Sequence, residues 1–179
     1  MRRSPGISVD EPAELDIARM RRRHLKGVMA IERQVYPRPW SPNLFLSEMG
    51  ELRTRAYLVA RMGKDIVGYG GVMCYGDEAH ITTFAVLPEF RRRKIGERML
   101  VRLFDMATDL KAEWLTLEVR ASNFPAQRLY EKYGFHAAGI RRRYYSDNNE
   151  DAIIMWTERL RDRSVRDRLA KLRSELEDT

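Results

Sequence analysis

A glutamate and a tyrosine, Glu118 and Tyr130, fall within one short run, Leu117 to Phe135 (LEVRASNFPAQRLYEKYGF), that reads as strand, turn and helix. A carboxylate and a phenol brought to one crevice can remove a proton at one end of a reaction and supply one at the other. Asn123 sits in the turn between them. Upstream, Arg91-Arg92-Arg93-Lys94-Ile95-Gly96 lies between a strand and a helix. The first amides of a helix have no internal partners and sit at its positive dipole end, so they can hold phosphate. The cationic side chains add charge, and Gly96 lets a ligand approach the backbone closely. Together these features suggest group transfer from a phosphorylated carrier to an amine. Each also has a plainer reading. Glu118 can be an ion-pair partner, Tyr130 core or rim packing, Asn123 a helix N-cap, and the basic run a solvated helix start.

The elements that must position these groups are legible in outline. Glu14 to Met20 alternates enough for a first strand. Arg21 to Val35 has a helical pattern with Leu25, Val28, Met29 and Ile31 toward the core. Pro37 and Pro39 break it, and Ser41-Pro42 starts a short helix with Ser41 as N-cap. Ala56 to Ala60 and Ile66 to Cys74 read as strands joined at Gly63-Lys64-Asp65, and His80 to Val86 as a third. Glu97 to Thr108 is amphipathic, and its loop precedes it, with Gly96 in the loop. Trp114 to Val119 turns Leu115, Leu117 and Val119 to one side and Glu118 to the other. Pro125 to Tyr133 is a helix stopped by Gly134. Phe135 to Arg142 and Ala152 to Thr157 are the last strands. The order predicts an α/β (α+β) fold, a mixed sheet covered by helices. Three units are expected: a loose leader over 1–12, one domain over 13–158, and a charged C-terminal helix over 159–179. Val165, Leu169, Leu172 and Leu176 form a narrow seam on that helix, which packs back on the domain or pairs two copies. A monomer or a weak homodimer is therefore expected.

The bulk numbers limit the classes. With 179 residues and 44% hydrophobic content, the chain can build one real core. No apolar run approaches the roughly 20 residues that span a bilayer. The first residues carry no apolar secretory segment, so a cytoplasmic location without membrane attachment is expected. Cys74 is the only cysteine, which excludes an internal disulfide and a multi-cysteine metal site. His24, His80 and His136 are too scattered for a metal site; His80 begins a strand near the proposed cleft, where it is either a spectator or a contact. The net charge of +7 suits an anionic cofactor, nucleic acid or simply a basic surface.

These residues carry a resemblance to the GNAT acyl-CoA N-acyltransferases. Within that family the chain closely resembles the ribosomal-protein-alanine N-acetyltransferase branch. The resemblance runs from about Leu15 to Trp156 and rests on LEVRASN (117–123), LYEKYGF (129–135), IRRRYY (140–145), EDAIIM (150–155) and Pro39-Trp40-Ser41. It implies a mostly antiparallel central sheet and acetyl-CoA as cosubstrate, with no metal. Phe84, Ala85 and Val86 would offer backbone groups to the thioester and pantetheine arm. Arg91, Arg92, Arg93, Lys94, Ile95, Gly96 and Glu97 would wrap the pyrophosphate, and Asn123 would contact the cofactor. Lys94 stands where the family pattern has its first glycine. Glu118 would be the base and Tyr130 the acid, with Trp40, Tyr144 and Tyr145 lining a peptide entrance. The implied acceptor is the N-terminal amine of a protein, a ribosomal protein beginning with alanine. Two other readings stay open: a GNAT enzyme acting on lysine side chains or small amines, and a non-catalytic module binding CoA or RNA. Direct nucleic-acid binding is not expected of the enzyme, although work near ribosomes would bring it close to RNA.

Overall fold

Alternating burial along the strands builds the sheet. In Arg55–Met62 (β2), Leu58 and Ala60 face one side while Tyr57 and Val59 face the other, and all four are buried. A strand buried on both faces needs a layer on each, and the helices supply them. The computed structural model describes residues 14–178; the leader expected over 1–12 lies outside them. The remaining strands are β1 (Leu15–Arg19), β3 (Asp65–Tyr75), β4 (Glu78–Val86), β5 (Trp114–Arg120), β6 (Phe135–Tyr145) and β7 (Glu150–Thr157). They order as β1-β2-β3-β4-β5-β7-β6. Every neighbouring pair is antiparallel except β4 with β5, so the expected mixed sheet is present.

Helices α1 (Leu25–Val35) and α2 (Pro42–Gly50) cover one face. They place Val28, Met29, Ile31 and Phe45 against Tyr57, Val59, Tyr69 and Ala85. Ser41 caps α2, its Oγ accepting from the Leu44 amide at 3.1 Å. Helix α3 (Ile95–Asp109) lies on the other face with Met99, Leu100, Leu103, Phe104 and Ala107 buried. Helix α4 (Phe124–Lys132) and α5 (Arg163–Glu177) join that layer. On α5, Val165, Leu172 and Leu176 are buried and Leu169 is partly so. Arg98 donates to the Leu176 carbonyl and Arg173 pairs with Asp105, tying α5 to α3. Cys74 is buried, with Sγ near the Gly76 and Leu110 carbonyls. No helix among the described residues is long and apolar enough to cross a membrane.

One boundary differs in a way that matters. Gly96, expected in the loop, lies inside the first turn of α3. Lys94 adopts left-handed backbone at φ 57° and is itself the N-cap, and its carbonyl already accepts from the Arg98 amide at 3.0 Å.

Candidate active site

Strands β4 and β5 touch only at their starts. Their parallel pairing runs from Glu78–Trp114 to His80–Thr116 and stops there. Farther along, β5 pairs with β7, Glu118 opposite Ile154, while β4 stays on β3 through Val86 opposite Gly68. A gap opens between the two strands. Two carbonyls of β4 turn away from β3 toward that side. Tyr36 Oη donates to the Phe84 carbonyl at 3.0 Å, and Arg91 Nε donates to that of Val86 at 3.3 Å. In an extended strand the N–H and C=O of one residue point the same way, so the Phe84 and Val86 amides face the gap too. Ala85, expected to share this role, alternates toward β3, opposite Tyr69. Its backbone is committed to the sheet.

The basic loop leads into this gap. Arg92 (φ 64°) and Lys94 (φ 57°) both take left-handed backbone, which costs an L-residue about 1–2 kcal/mol. Such turns make successive amides converge into an anion-binding hollow. The amides of Ile95, Gly96 and Glu97 precede the first helical acceptor bond and have no partner within α3. A Cβ on Gly96 would find its nearest neighbours, Leu129 and the Phe84 ring, at an ordinary 3.8 Å. Neither packing nor backbone conformation needs glycine there, so the space it leaves suits a ligand. Arg93 lies over the Phe90 ring at 5.2 Å. Glu97 turns its carboxylate away, to Lys132 at 2.5 Å and Tyr133 Oη at 3.0 Å. Only its amide belongs to the hollow. Asn123 caps α4, Oδ1 accepting from the Ala126 amide at 3.3 Å.

Glu118 lies on β5 just past the point where the strands part. His80 Nε2 reaches its Oε2 at 2.8 Å and Arg141 Nε its Oε1 at 3.0 Å. These partners, the His80 hydrogen bond first, hold its carboxyl below the usual glutamate range against the opposing effect of burial. Tyr130 on α4 is 7% exposed and edge-on to Phe84 and Phe135. Its hydroxyl has no hydrogen-bond partner among the described residues. Since no polar side-chain atom among the described residues is left buried and unpaired, that hydroxyl meets solvent. Burial raises the phenol, with Tyr36 and Tyr145 adding to it, so it is protonated and can donate. Tyr145 in turn feels Glu118 and Tyr36, and burial pushes it up to about 12. The glutamate, the expected acid and these two phenols thus share one neighbourhood.

The β6–β7 hairpin is pinned beside it. Arg120 stacks on Tyr145 at 3.9 Å and pairs with Asp147 (2.8 Å) and Glu150 (3.2 Å). The Ser122 amide donates to Glu150 at 2.8 Å, and contacts of this kind hold that carboxyl down to about 2. Tyr144 stands half exposed, 5.2 Å from Tyr145 and 5.7 Å from the Arg141 guanidinium. The α1–α2 loop faces the hairpin and joins it through Arg38 Nη1 on Ser146 Oγ at 2.8 Å. Trp40 packs its ring on Phe45 at 5.2 Å and gives its amide to Glu32 at 2.9 Å. Its contacts are those of loop packing.

Sequence reasoning missed Tyr36 and Arg141 as neighbours of the site. It puts His80 at a strand start near the cleft and Thr116 on the strand face of Glu118, but nothing local marks β4 and β5 as adjacent. Among the described residues no group of acidic, histidine or cysteine side chains could hold a metal ion.

The profile of the acetyltransferase (GNAT) family matches residues 25–135. The [ribosomal protein bS18]-alanine N-acetyltransferase of Escherichia coli K12 is 38% identical over 133 residues, covering 73% of this chain and 88% of that protein. The N-alpha-acetyltransferase RimI of Mycobacterium tuberculosis is 37% identical over 121 residues, 65% of this chain and 74% of its own length. The crystal structure of the Escherichia coli ribosomal-protein-S18-alanine N-acetyltransferase superposes with a TM-score of 0.73 at 34% identity, covering 80% of this chain and 93% of that one.

Proposed function

Since the chain belongs to the acetyltransferase (GNAT) family, we propose that it moves an acetyl group from acetyl-CoA to the α-amine of a protein N-terminus. The carrying observation is the gap between β4 and β5, with Glu118 at its edge and the outward backbone groups of Phe84 and Val86 along it. The names of both relatives support an α-amine as the acceptor, and that of the Escherichia coli one an N-terminal alanine on a ribosomal protein. A ribosomal substrate would place the reaction in the cytoplasm.

The amides at Ile95 to Glu97, with Arg91 to Lys94 around them, fit the pyrophosphate of the cosubstrate. Acetyl-CoA supplies an activated thioester. An α-ammonium has a pKa near 8, so it must lose a proton before it attacks. Glu118 takes that proton, directly or through one water, and the amine nitrogen bonds to the acetyl carbon. The Val86 amide donates to the thioester oxygen as charge develops there. Tyr130 donates its hydroxyl proton to the sulfur as the carbon–sulfur bond breaks. The bonded nitrogen gives up its second proton, directly or through water, to the tyrosinate, so Tyr130 is restored and the one net proton leaves from Glu118; no covalent enzyme species forms. Tyr144 and Tyr145 wall the entrance beside the acidic Asp147 and Glu150.

The test is mass spectrometry of short peptides that differ in their first residue, incubated with protein and acetyl-CoA. Acetylation confined to the α-amine and strongest with alanine supports the reading. Acetylation of lysine side chains with free α-amines untouched overturns it. Cosubstrate binding has its own check. Gly96→Ala should melt at or above the parent temperature, since alanine is the better helix residue, yet bind acetyl-CoA about 10-fold more weakly in calorimetric titration, the loss of one close phosphate contact. Unchanged affinity would remove the backbone of Gly96 from the cosubstrate site.

A further inference from the structure

His80 braces two strands at the place where they part. Its partners, Thr116 and Glu118, lie two residues apart on one face of β5. Nδ1 is 2.8 Å from Thr116 Oγ1 and Nε2 is 2.8 Å from Glu118 Oε2. An ionised carboxylate only accepts, so Nε2 carries a proton. A hydroxyl can donate or accept, so Thr116 satisfies Nδ1 whether the imidazole is neutral or charged. The hold on Glu118 therefore survives either state. Thr116 is buried at 6% exposure, and both strands are paired at this level. This side of the carboxylate is rigid.

The other side is not. Arg141 holds Oε1 from the edge strand β6, with its side chain 54% exposed. The same guanidinium lies 5.7 Å from the Tyr144 ring. A cation so exposed can give way to another cation. The charged and titratable groups facing Glu118 are then His80 from β4, and Arg141, Tyr144 and Tyr145 from β6. Its β7 register partner is the apolar Ile154.

We propose that His80, braced by Thr116, is the positioning residue of Glu118, fixing one carboxylate oxygen while Arg141 yields the other to the substrate ammonium. This rests on the reading of Glu118 as the base. It makes the aim of the base a property of the β4–β5 junction, and it gives the free enzyme an internal stand-in for the ammonium it receives.

The experiment compares the parent with His80→Ala, His80→Gln and Arg141→Gln. It measures peptide kinetics with acetyl-CoA, and carbon NMR titration of the Glu118 carboxyl assigned by its loss in Glu118→Gln. In His80→Ala, kcat should fall about 10- to 100-fold, the scale of a misplaced catalytic group, with KM for acetyl-CoA within about twofold. The Glu118 titration should move to higher pH, because a donor to the ionised form has gone. His80→Gln retains an N–H close to the Nε2 position and should recover much of both. Arg141→Gln should lower KM for the peptide. The proposal is overturned if His80→Ala leaves kcat and the titration where they were, if His80→Gln is as impaired as His80→Ala while melting like the parent, or if Arg141→Gln raises KM for the peptide. If no amine is acetylated by the parent, the function fails, and the titration still decides whether His80 holds Glu118.

Discussion

Glu118→Gln is expected to lower kcat for an alanine-terminated peptide by about 10²- to 10⁴-fold, the usual contribution of a general base. Glutamine keeps the volume and one acceptor, so the fold has little reason to change. The amide cannot accept from His80 and Arg141 together, but the imidazole can switch tautomer and accept from the amide nitrogen while Nδ1 donates to Thr116. What disappears is the ability to take a proton. Binding of acetyl-CoA, proposed to rest on the α3 amides and the β4 backbone, should stay within about twofold by calorimetry, since Glu118 is not among those proposed contacts. Stopped-time mass spectrometry with parent and variant measures the rate. A variant that keeps a tenth or more of the parent kcat would remove Glu118 from the proton path. The carboxyl is held below the ordinary range, so in the folded chain it stays ionised through neutral pH. Its own contribution to stability is full above the unfolded value near 4.3 and is lost as pH falls through the depressed folded one.

The largest loss of stability is expected at Glu32. This carboxylate is 1% exposed and lies under the loop that carries Trp40. It accepts from the Trp40 amide at 2.9 Å and from Tyr69 Oη, and Tyr69 also accepts from Thr83 at 3.4 Å. Glu32→Ala leaves a fully buried phenol and a backbone amide without their acceptor, and opens a void. The cost should be about 3 kcal/mol. In a chain of this size that lowers the melting temperature by roughly 6–12 °C. Glu32→Gln fills the space but offers a single acceptor oxygen, so it should lose less. Burial raises the Glu32 carboxyl above the ordinary range, with the Tyr69 and Trp40 hydrogen bonds opposing. The folded chain then binds that proton more tightly than the unfolded one. Stability from this group declines as pH rises from the unfolded value, about 4.3, through the raised folded one. Thermal melts of parent and Glu32→Gln across that window should converge with rising pH. A constant difference, or a Glu32→Ala protein that melts with the parent, would contradict the buried-carboxylate account.

Glu32 also illustrates how far the sequence can be read. It stands four residues after Val28 and three after Met29, on the apolar arc of its helix, so its burial was available from periodicity alone. A charged residue type hides such a position, because periodicity reasoning assigns glutamate to solvent by default. Its reason for being there, a phenol from β3 and an amide from the following loop, is not local at all.

The division follows the range of the forces. Strand alternation around Glu118, the Ser41 and Asn123 caps and the stop at Gly134 depend on neighbours within a turn or two of chain, so the sequence by itself determined them. The basic run proposed to hold phosphate was recognisable by type and place, although the left-handed Lys94 moved the helix start and drew Gly96 into its first turn. Who meets whom across the sheet was decided only by the tertiary structure. His80 meets Glu118 because β4 and β5 lie side by side in parallel with α3 between them in sequence. Tyr36 reaches Phe84 because α1 covers β4, and Arg141 reaches Glu118 from an edge strand beyond β7. Sheet order and register set those distances, and they come from burying both faces of one sheet at once, a condition that no short stretch of this chain can express.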